Sequence, residues 1–521
     1  MKKLIYYIWW LFNSGVLHKV IKLKSLLDLL ENTVYRQVGG PDDIYIRDVT
    51  ADSREVREGS LFFCLSGAKV DGHDFVEDAV KKGAVAIVAE KKIKIPTGAT
   101  VIYVESTRKA MEDMVPYFFD YPSRKMRMVA VTGTNGKTTT THIISHIFRT
   151  AGYKTGVIGT IHALIGDREV PTHNTTPDVI DLQRLLYEMA EEKVEYVCME
   201  VSSHALAMGR VSGCEFDTAV FTNLTEDHLD YHKTMENYAK AKAKLFNMVS
   251  ASGQFKKNKT AWINQDDKYS NVMESAIQDK KICTCHTYGM TAKSDLRIFS
   301  TAFTSKKSAF HLKFDNKECL INTKLVGRFN IYNCVAAAGV ALSEGLQIEI
   351  IARALETFQS VPGRFELIDE GQPFTVVVDY AHTPDGLEKI LTTAREISRG
   401  RVIAVFGCGG DRDKLKRPIM GRIAAKYADI VIITNDNPRT ENPLEIIEEV
   451  KAGVVDELDK KPFLQYETEP ERRKAIREAI SLAEEKDVVI IAGKGHENYQ
   501  ILRNKTIHFD DREEARMALR G

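Results

Sequence analysis

Apolar residues along this chain fall into short unbroken runs separated by amphipathic stretches, and that alternation dictates most of the predicted elements. A helical pattern at 20–30, an extended segment at 44–49, an apolar run at 61–65, a helix near 75–82 and a strand at 84–89 predict a small α/β domain ending near residue 106. A second pattern opens at 127–131, where an apolar run leads into a glycine-rich turn and a helix over 140–150. Runs at 155–158, 196–201 and 219–222 then read as strands buried on both faces, alternating with helices as a parallel sheet requires. Around 286–323 apolar and polar positions alternate singly, which predicts antiparallel strands, and a helix over 330–345 closes this unit. A third α/β series follows Val361-Pro362-Gly363, with strands at 375–378, 402–406, 430–434 and 488–491 and helices that include 417–427 and 471–484. No fixed-period repeat runs through the sequence, which excludes a solenoid or propeller. The fold class is therefore α/β, a three-domain chain. A leader covers 1–22, a small N-terminal domain 23–108, a central parallel-sheet nucleotide-type domain 109–361 and a Rossmann-like C-terminal domain 362–521.

Length and charge agree with that division. At 521 residues the chain exceeds the roughly 250–300 residues at which single cores stop growing. Lys+Arg and Asp+Glu both number 72, so the formal charge is zero, which argues against a general nucleic-acid or membrane-surface binder and points to small-molecule partners. With 44% hydrophobic residues the chain builds cores and is neither disordered nor fibrous. Its eight cysteines are scattered, only Cys283-Thr284-Cys285 lie close, and no spacing suits zinc, so a reducing cytoplasm fits. The leader starts like a signal peptide but lacks a small-residue cleavage site, and its apolar run is shorter than the ~20 residues that span a bilayer. It reads as extra N-terminal residues or as a peripheral membrane contact, with no integral span expected.

The strongest local signal is Thr132-Gly133-Thr134-Asn135-Gly136-Lys137-Thr138-Thr139, set between a buried strand and a helix. In such a loop, backbone N–H groups and a helix N-terminus face phosphate oxygens, the lysine approaches the terminal phosphates and a hydroxyl can meet Mg²⁺. The phosphates of a nucleotide are the ligand expected here, contacted by Gly133, Thr134, Asn135, Gly136, Lys137, Thr138 and Thr139. The loop departs from the general pattern, because Val131 stands where the first glycine belongs; the competing reading is an ordinary strand–helix turn. A lysine further on also stands out. The helical neighbours of Lys242 are Tyr238, Leu245 and Phe246, an apolar face, whereas Lys240 faces Glu236 and Lys244. A lysine on a semi-buried face has a lowered pKa; the competing reading is a structural lysine whose stem lies along apolar surface.

The TGTNGKTT form of the loop resembles that of the Mur ligases, ATP-dependent enzymes that build the peptide stem of peptidoglycan precursors. Further matches lie at Asn174-Thr175-Thr176-Pro177, Glu200-Val201-Ser202-Ser203-His204, Thr222-Asn223-Leu224, Asp227-His228-Leu229-Asp230, Pro362-Gly363-Arg364, Asp379-Tyr380-Ala381-His382-Thr383-Pro384 and Gly410-Asp411-Arg412-Asp413-Lys414. The resemblance covers roughly 25–515 and leaves the leader outside. It implies amide ligation through an acyl phosphate, with Lys137, Glu200, His228 and Lys242 as the catalytic set. Thr138, Glu200, His228 and Lys242, the last as a carbamate, would be the Mg²⁺ ligands. The alternative for Glu200 and His228 is a buried structural role.

The same resemblance implies the remaining site residues. Arg328, Asn330 and Asn333 match the adenine-side segment, and Arg364, Asp379, Tyr380 and His382 lie where the third domain would meet ATP. Asp52-Ser53-Arg54 and Gly72-His73-Asp74-Phe75 resemble the UDP-binding domain, with Ser53 at the uridine nucleotide and Thr175, Thr176, Ser202 and Arg210 at the muramoyl-dipeptide part. Capping and turn roles compete for these hydroxyls. Asp436-Asn437-Pro438-Arg439 resembles the form found in diaminopimelate-adding members, and Arg412, Gly493 and Glu497 match the other amino-acid contacts. Meso-diaminopimelate carries a second amino-acid head, so its site needs a planar cation for the carboxylate and acceptors for the ammonium, which Arg439, Asp436 and Asn437 can supply. The expected partners are UDP-N-acetylmuramoyl-L-alanyl-D-glutamate, meso-diaminopimelate and ATP, handled by a cytoplasmic monomer. The alternatives are the lysine-adding variant, the related folylpolyglutamate synthetases and a P-loop regulatory switch.

Overall fold

The computed structural model describes residues 20–30, 35–41, 43–67, 70–172, 174–251, 255–315, 317–503 and 505–521. The leader expected over 1–22 lies outside the described residues as far as residue 19. Ile21–Lys22 already pair antiparallel with Tyr45–Ile46, so ordered structure begins inside the expected leader. By contact density the chain separates into two compact units, each built from several stretches of sequence.

The first unit comprises residues 1–129, 154–217 and 252–258. Its five-stranded sheet runs in the order Tyr35–Val38, Thr100–Val104, Ala84–Ala89, Ser60–Phe63, Asp48–Thr50, parallel except for the first pair. Apolar side chains alternate to both faces and make two cores. One is covered by the helix Thr107–Phe118, which buries Ala110, Met111, Met114, Val115 and Phe118 against Leu61, Phe63 and Val88. This helix carries the first core about ten residues past the boundary expected at 108, because its apolar stripe finds its partner surface only there. The unit also holds Arg168–Val170, Ala163–Ile165, Thr155–Ile158 and Tyr196–Glu200, which pair in that order, the last two in parallel.

The second unit comprises residues 130–153, 218–251 and 259–521. The strands Thr218–Phe221, Lys259–Asn264, Cys283–Gly289 and Leu296–Phe303 are parallel, and Ser308–Phe314 and Lys317–Thr323 continue antiparallel. The antiparallel expectation for 286–323 is thus corrected at its start, where Cys283–Gly289 pairs in parallel on both sides. Single alternation reports one wet and one dry face, and does not report strand direction.

A six-stranded sheet follows in the order Glu366–Ile368, Thr375–Asp379, Val488–Ala492, Val402–Phe406, Ile430–Ile433, Gln465–Thr468, parallel apart from the first strand. Cores lie on both of its faces. Asp379, Phe406, Ile433 and Ala492 end four of these strands, so the segments beginning DYAH, GCGG, TNDNPR and GKGHE all leave carboxyl ends, the edge at which open α/β sheets bind ligands. All eight cysteines are free thiols. No described helix is long and apolar enough to cross a membrane.

Candidate functional site

The strand Arg127–Thr132 delivers the chain into the glycine loop. Gly133 has φ 152°, and a Cβ there would stand 1.9 Å from Thr222 Oγ1, so no larger residue fits. The helix Lys137–Thr150 starts at Gly136, with no side chain capping its first turn. Its leading N–H groups therefore have the orientation that anions seek at helix N-termini. The loop is strapped from one side by Thr222-Asn223-Leu224-Thr225. Asn223 Oδ1 accepts from the Asn135 N–H at 3.0 Å, Thr222 Oγ1 donates to the Asn135 carbonyl at 2.6 Å, and the Thr225 N–H donates to Thr134 Oγ1 at 3.0 Å.

Two lysines converge on this loop. Lys137 Nζ donates to the carbonyls of Gly133 and Thr134 at 3.0 and 2.8 Å, and Lys242 Nζ donates to the same Gly133 carbonyl at 2.7 Å. Lys242 lies on the helix Met235–Ser250 among Tyr238, Leu245 and Phe246 and is 1% exposed, deeper than the semi-buried position its neighbours predicted. Burial, aided by the nearby Lys137 charge, holds its amine well below the usual lysine range. His228 occupies an exposed left-handed position, φ 56°, beside Asp227.

The segment expected on the adenine side is knit into the protein. Asn330 is 1% exposed; its Nδ2 donates to the Val326 carbonyl at 2.8 Å and its Oδ1 accepts from Asn333 Nδ2 at 3.2 Å. Asn333 Oδ1 in turn accepts from Thr140 Oγ1 at 3.3 Å. The Asn330 amide is thus engaged inside the protein, where it braces the glycine-loop helix through Asn333. Arg364 Nη2 approaches Thr138 Oγ1 at 3.4 Å, and its guanidinium lies 4.4 Å from the Tyr380 ring centroid. Asp379 accepts from the N–H groups of Phe365 and Ala381, both at 2.7 Å, which fixes the turn carrying Arg364. Burial raises its carboxyl. His382 sits on the same loop, its Nδ1 2.8 Å from the Tyr380 carbonyl oxygen.

In the first unit, the expected muramoyl-side residues assemble around Glu200, the last residue of its strand. Glu200 accepts from the Thr160 N–H at 2.8 Å and Thr160 Oγ1 at 3.1 Å, and Thr160 Oγ1 lies 3.1 Å from Thr175 Oγ1. Thr176 is fully buried; its hydroxyl donates to the Glu200 carbonyl at 2.9 Å and accepts from the Ser202 N–H at 3.1 Å. Ser202 caps the short helix Ser203–Ala207, and Arg210 Nη1 donates to the Thr176 carbonyl at 3.3 Å. The hydroxyls of Thr176 and Ser202 thus serve backbone groups at the end of the strand and the start of the helix. Ser53 sits in a turn made when Asp52 accepts from Arg54, and Lys82 Nζ donates to its carbonyl at 2.8 Å.

At the six-stranded sheet, Asp436, Asn437 and Glu497 surround a lysine that sequence reasoning left without a role. Lys494 has a fully buried side chain, and its Nζ reaches Asn437 Oδ1 at 3.2 Å, Glu497 Oε2 at 3.4 Å and Asp436 Oδ1 at 3.5 Å. The signal was a lysine between two glycines just after an apolar strand, where a charge has no water to reach. Burial still holds the Glu497 carboxyl above its usual range, with Lys494 opposing. Arg439 has φ 53° and is tied by its own carbonyl, which accepts from the Arg503 N–H at 2.9 Å; its Nη1 donates to the Gly410 carbonyl at 2.7 Å. A Cβ on Gly410 would lie 1.9 Å from the Pro438 carbonyl, so glycine lets the two loops meet. Arg412 is exposed on that loop, and Gly493 has φ 123° beside Asp436.

Thr138 and Glu200 are hard oxygen donors of the kind Mg²⁺ takes. Lys242 as an amine does not fit a cation, because it donates to Gly133; only a modified lysine would. Among the described residues no three His, Cys, Asp or Glu groups form a metal cluster. The expected ligand set contains just two residues of those types.

The sequence matches three family profiles in succession: Mur ligase family, catalytic domain, over residues 45–118; Mur ligase middle domain, over 131–341; and Mur ligase, glutamate ligase domain, over 363–495. A UDP-N-acetylmuramoyl-L-alanyl-D-glutamate--2,6-diaminopimelate ligase of Geobacillus kaustophilus is 48% identical over 500 residues, covering 96% of this chain and 99% of its own. A solved structure of a ligase of that name is 32% identical, with a TM-score of 0.68 over 96% of this chain and 99% of its own. A MurF ligase of Thermotoga maritima, solved in complex with ADP, shares the fold at 18% identity and a TM-score of 0.59, over 85% of this chain and 93% of its own.

Proposed function

The chain belongs to the Mur ligase family, and from that premise we propose that it is the ATP-dependent ligase that adds meso-2,6-diaminopimelate to UDP-N-acetylmuramoyl-L-alanyl-D-glutamate in peptidoglycan precursor synthesis. The observation that supports this reading best is the pairing, in one protein, of a phosphate loop with a pocket of Arg439, Asp436, Asn437 and Glu497. A P-loop regulatory switch would use the first and has no need of the second.

In the first step the substrate's γ-carboxylate oxygen attacks the γ-phosphorus of ATP and ADP leaves, giving an acyl phosphate. The amine of diaminopimelate then attacks the carbonyl carbon, the C–O bond to phosphate breaks, and the amine nitrogen loses its proton. Both steps gather negative oxygens, which the N–H groups of the glycine loop and Lys137, released from the Gly133 and Thr134 carbonyls, would meet with donors and positive charge. Arg364, stacked on Tyr380 and fixed by Asp379, adds a cation beside Thr138. Thr138, Glu200, His228 and carbamylated Lys242 would hold Mg²⁺, which when bound neutralises phosphate charge. The buried, weakly basic Lys242 amine is suited to add to CO₂, since only the neutral amine is nucleophilic.

Ser53 would bind the uridine part, Thr175, Thr176, Ser202 and Arg210 the muramoyl-dipeptide part, and Arg412, Asp436, Asn437, Pro438, Arg439, Gly493 and Glu497 the diaminopimelate head. L-Lysine lacks the second carboxylate, so it would leave the Arg439 guanidinium with the Gly410 carbonyl but no carboxylate. The protein works as a cytoplasmic monomer. The test is phosphate release from ATP with Mg²⁺, the UDP-dipeptide and meso-diaminopimelate, L-lysine or no amino acid, with mass spectrometry of the product. Tripeptide with diaminopimelate alone supports the reading, turnover with lysine overturns the specificity, and hydrolysis indifferent to amino acid overturns the ligase.

A further inference from the structure

Asp385 stands in the first turn of the helix Pro384–Ile397, a position where an aspartate ordinarily faces solvent and favours the helix dipole. Here its side chain is 23% exposed, and one oxygen, Oδ2, accepts from three donors: Asn135 Nδ2 at 2.6 Å, Thr225 Oγ1 at 2.7 Å and Lys389 Nζ at 2.8 Å. Lys389 is a neighbour on the same helix. The other two lie 250 and 160 residues away in sequence, one on the phosphate loop and one on the strap that braces it. The backbone of Asn135 is already held by Thr222 and Asn223, so its side chain is what the loop offers outward. The helix belonging to Asp385 follows Asp379 and His382 directly and packs Leu387, Ile390 and Leu391 into the core of the six-stranded sheet that carries Arg439. One carboxylate therefore joins the loop that holds phosphate, its strap and the sheet that presents the amino acid.

We propose that Asp385 is a positioning residue of the ligation, a latch that registers the amino-acid-bearing sheet on the phosphate loop so that the acyl phosphate meets the amine before it meets water. The proposal rests on the ligase reading. The chemistry demands such a device, because the intermediate is made at one of these elements and consumed by a nucleophile bound at another, with water as the competitor. Charge-assisted bonds to a partly exposed carboxylate are directional enough to set register and remain open to exchange with solvent.

The experiment measures phosphate and tripeptide in parallel for the wild-type chain and for Asp385→Ala, Asp385→Asn, Thr225→Val and Lys389→Met. Asp385→Ala is expected to lower kcat for tripeptide by about tenfold or more while KM for ATP moves less than about threefold, and to raise the phosphate-to-tripeptide ratio above one. Asp385→Asn keeps an acceptor and recovers part of the coupling. Thr225→Val shifts the ratio in the same direction, and combining it with Asp385→Ala adds little, because both remove one interaction. Lys389→Met, which leaves both distant donors in place, changes kcat by less than about twofold. If Asp385→Ala fails to fold, Thr225→Val carries the same readout. A ratio of one with unchanged kcat in Asp385→Ala, additive losses in the double variant, or an equal effect from Lys389→Met overturns the latch. A wild-type chain that makes no tripeptide overturns the ligase reading and the latch together, whereas normal coupling in the variants overturns the latch alone.

Discussion

The glycine loop presents backbone N–H donors, with two lysines gathered on one carbonyl; the cluster at the six-stranded sheet presents side chains seated on a buried lysine. The loop can be contiguous in sequence, because phosphate asks for positive potential and little shape, and eight successive residues supply it. On the proposed reading the cluster at the sheet would tell one amino acid from another, so it would draw on the segments at Arg412, Asp436–Arg439 and Gly493–Glu497, and each charge there needs a partner when no ligand is bound. Lys494 is that partner for Asp436, Asn437 and Glu497.

The comparison breaks most visibly at Lys137. Lys137→Ala should lower tripeptide kcat by about 10³-fold or more with every amino acid alike, since the lost cation serves phosphate and not selectivity. Stopped assays with diaminopimelate and with lysine check that the loss is uniform. Arg439→Ala should instead lower kcat/KM for diaminopimelate by about 10²-fold and leave lysine turnover near its starting level. Arg439→Lys should not restore the preference, because an ammonium lacks the planar fork.

Lys494→Met sharpens the contrast. Removing one member of a buried ionic group costs about 3–5 kcal/mol, read as a lower thermal midpoint. It also removes the charge opposing the burial of Glu497, so that carboxyl should rise further. The ionised form is the one that accepts from an ammonium, so the acid limb of kcat/KM for diaminopimelate should move to higher pH while that for ATP stays in place. The smallest effect is on stability at Lys242. Its folded-state pKa is depressed below the ordinary 10.5, so between the two values the unfolded chain holds more protons and stability rises with pH. In CO₂-depleted buffer, Lys242→Met should be more stable than the wild-type chain at neutral pH and lose that slope. Urea unfolding at several pH values checks the sign.

The elements most legible in the sequence were the apolar runs, which became strands within a residue or two at 84–89, 155–158 and 402–406. The glycine loop was legible for the same reason, since its physics lies in consecutive residues. Strand direction at Cys283–Gly289 was not, because alternation carries no information on the partner. Nor was the engagement of Asn330 and Thr176 inside the protein, as a polar side chain reads alike whether it faces a ligand or a neighbour.

The sequence by itself determined the α/β class and the glycine loop between strand and helix, because periodicity and contiguous motifs are local properties. Only the tertiary structure decided that Lys242 is fully buried against Gly133, that Lys494 underlies the pocket, that Thr160 holds Glu200, and that Asp385 reaches Asn135 and Thr225. Each of these depends on a charge or hydroxyl finding a partner tens to hundreds of residues away. Pairing at that range is set by how the cores pack and where water is excluded.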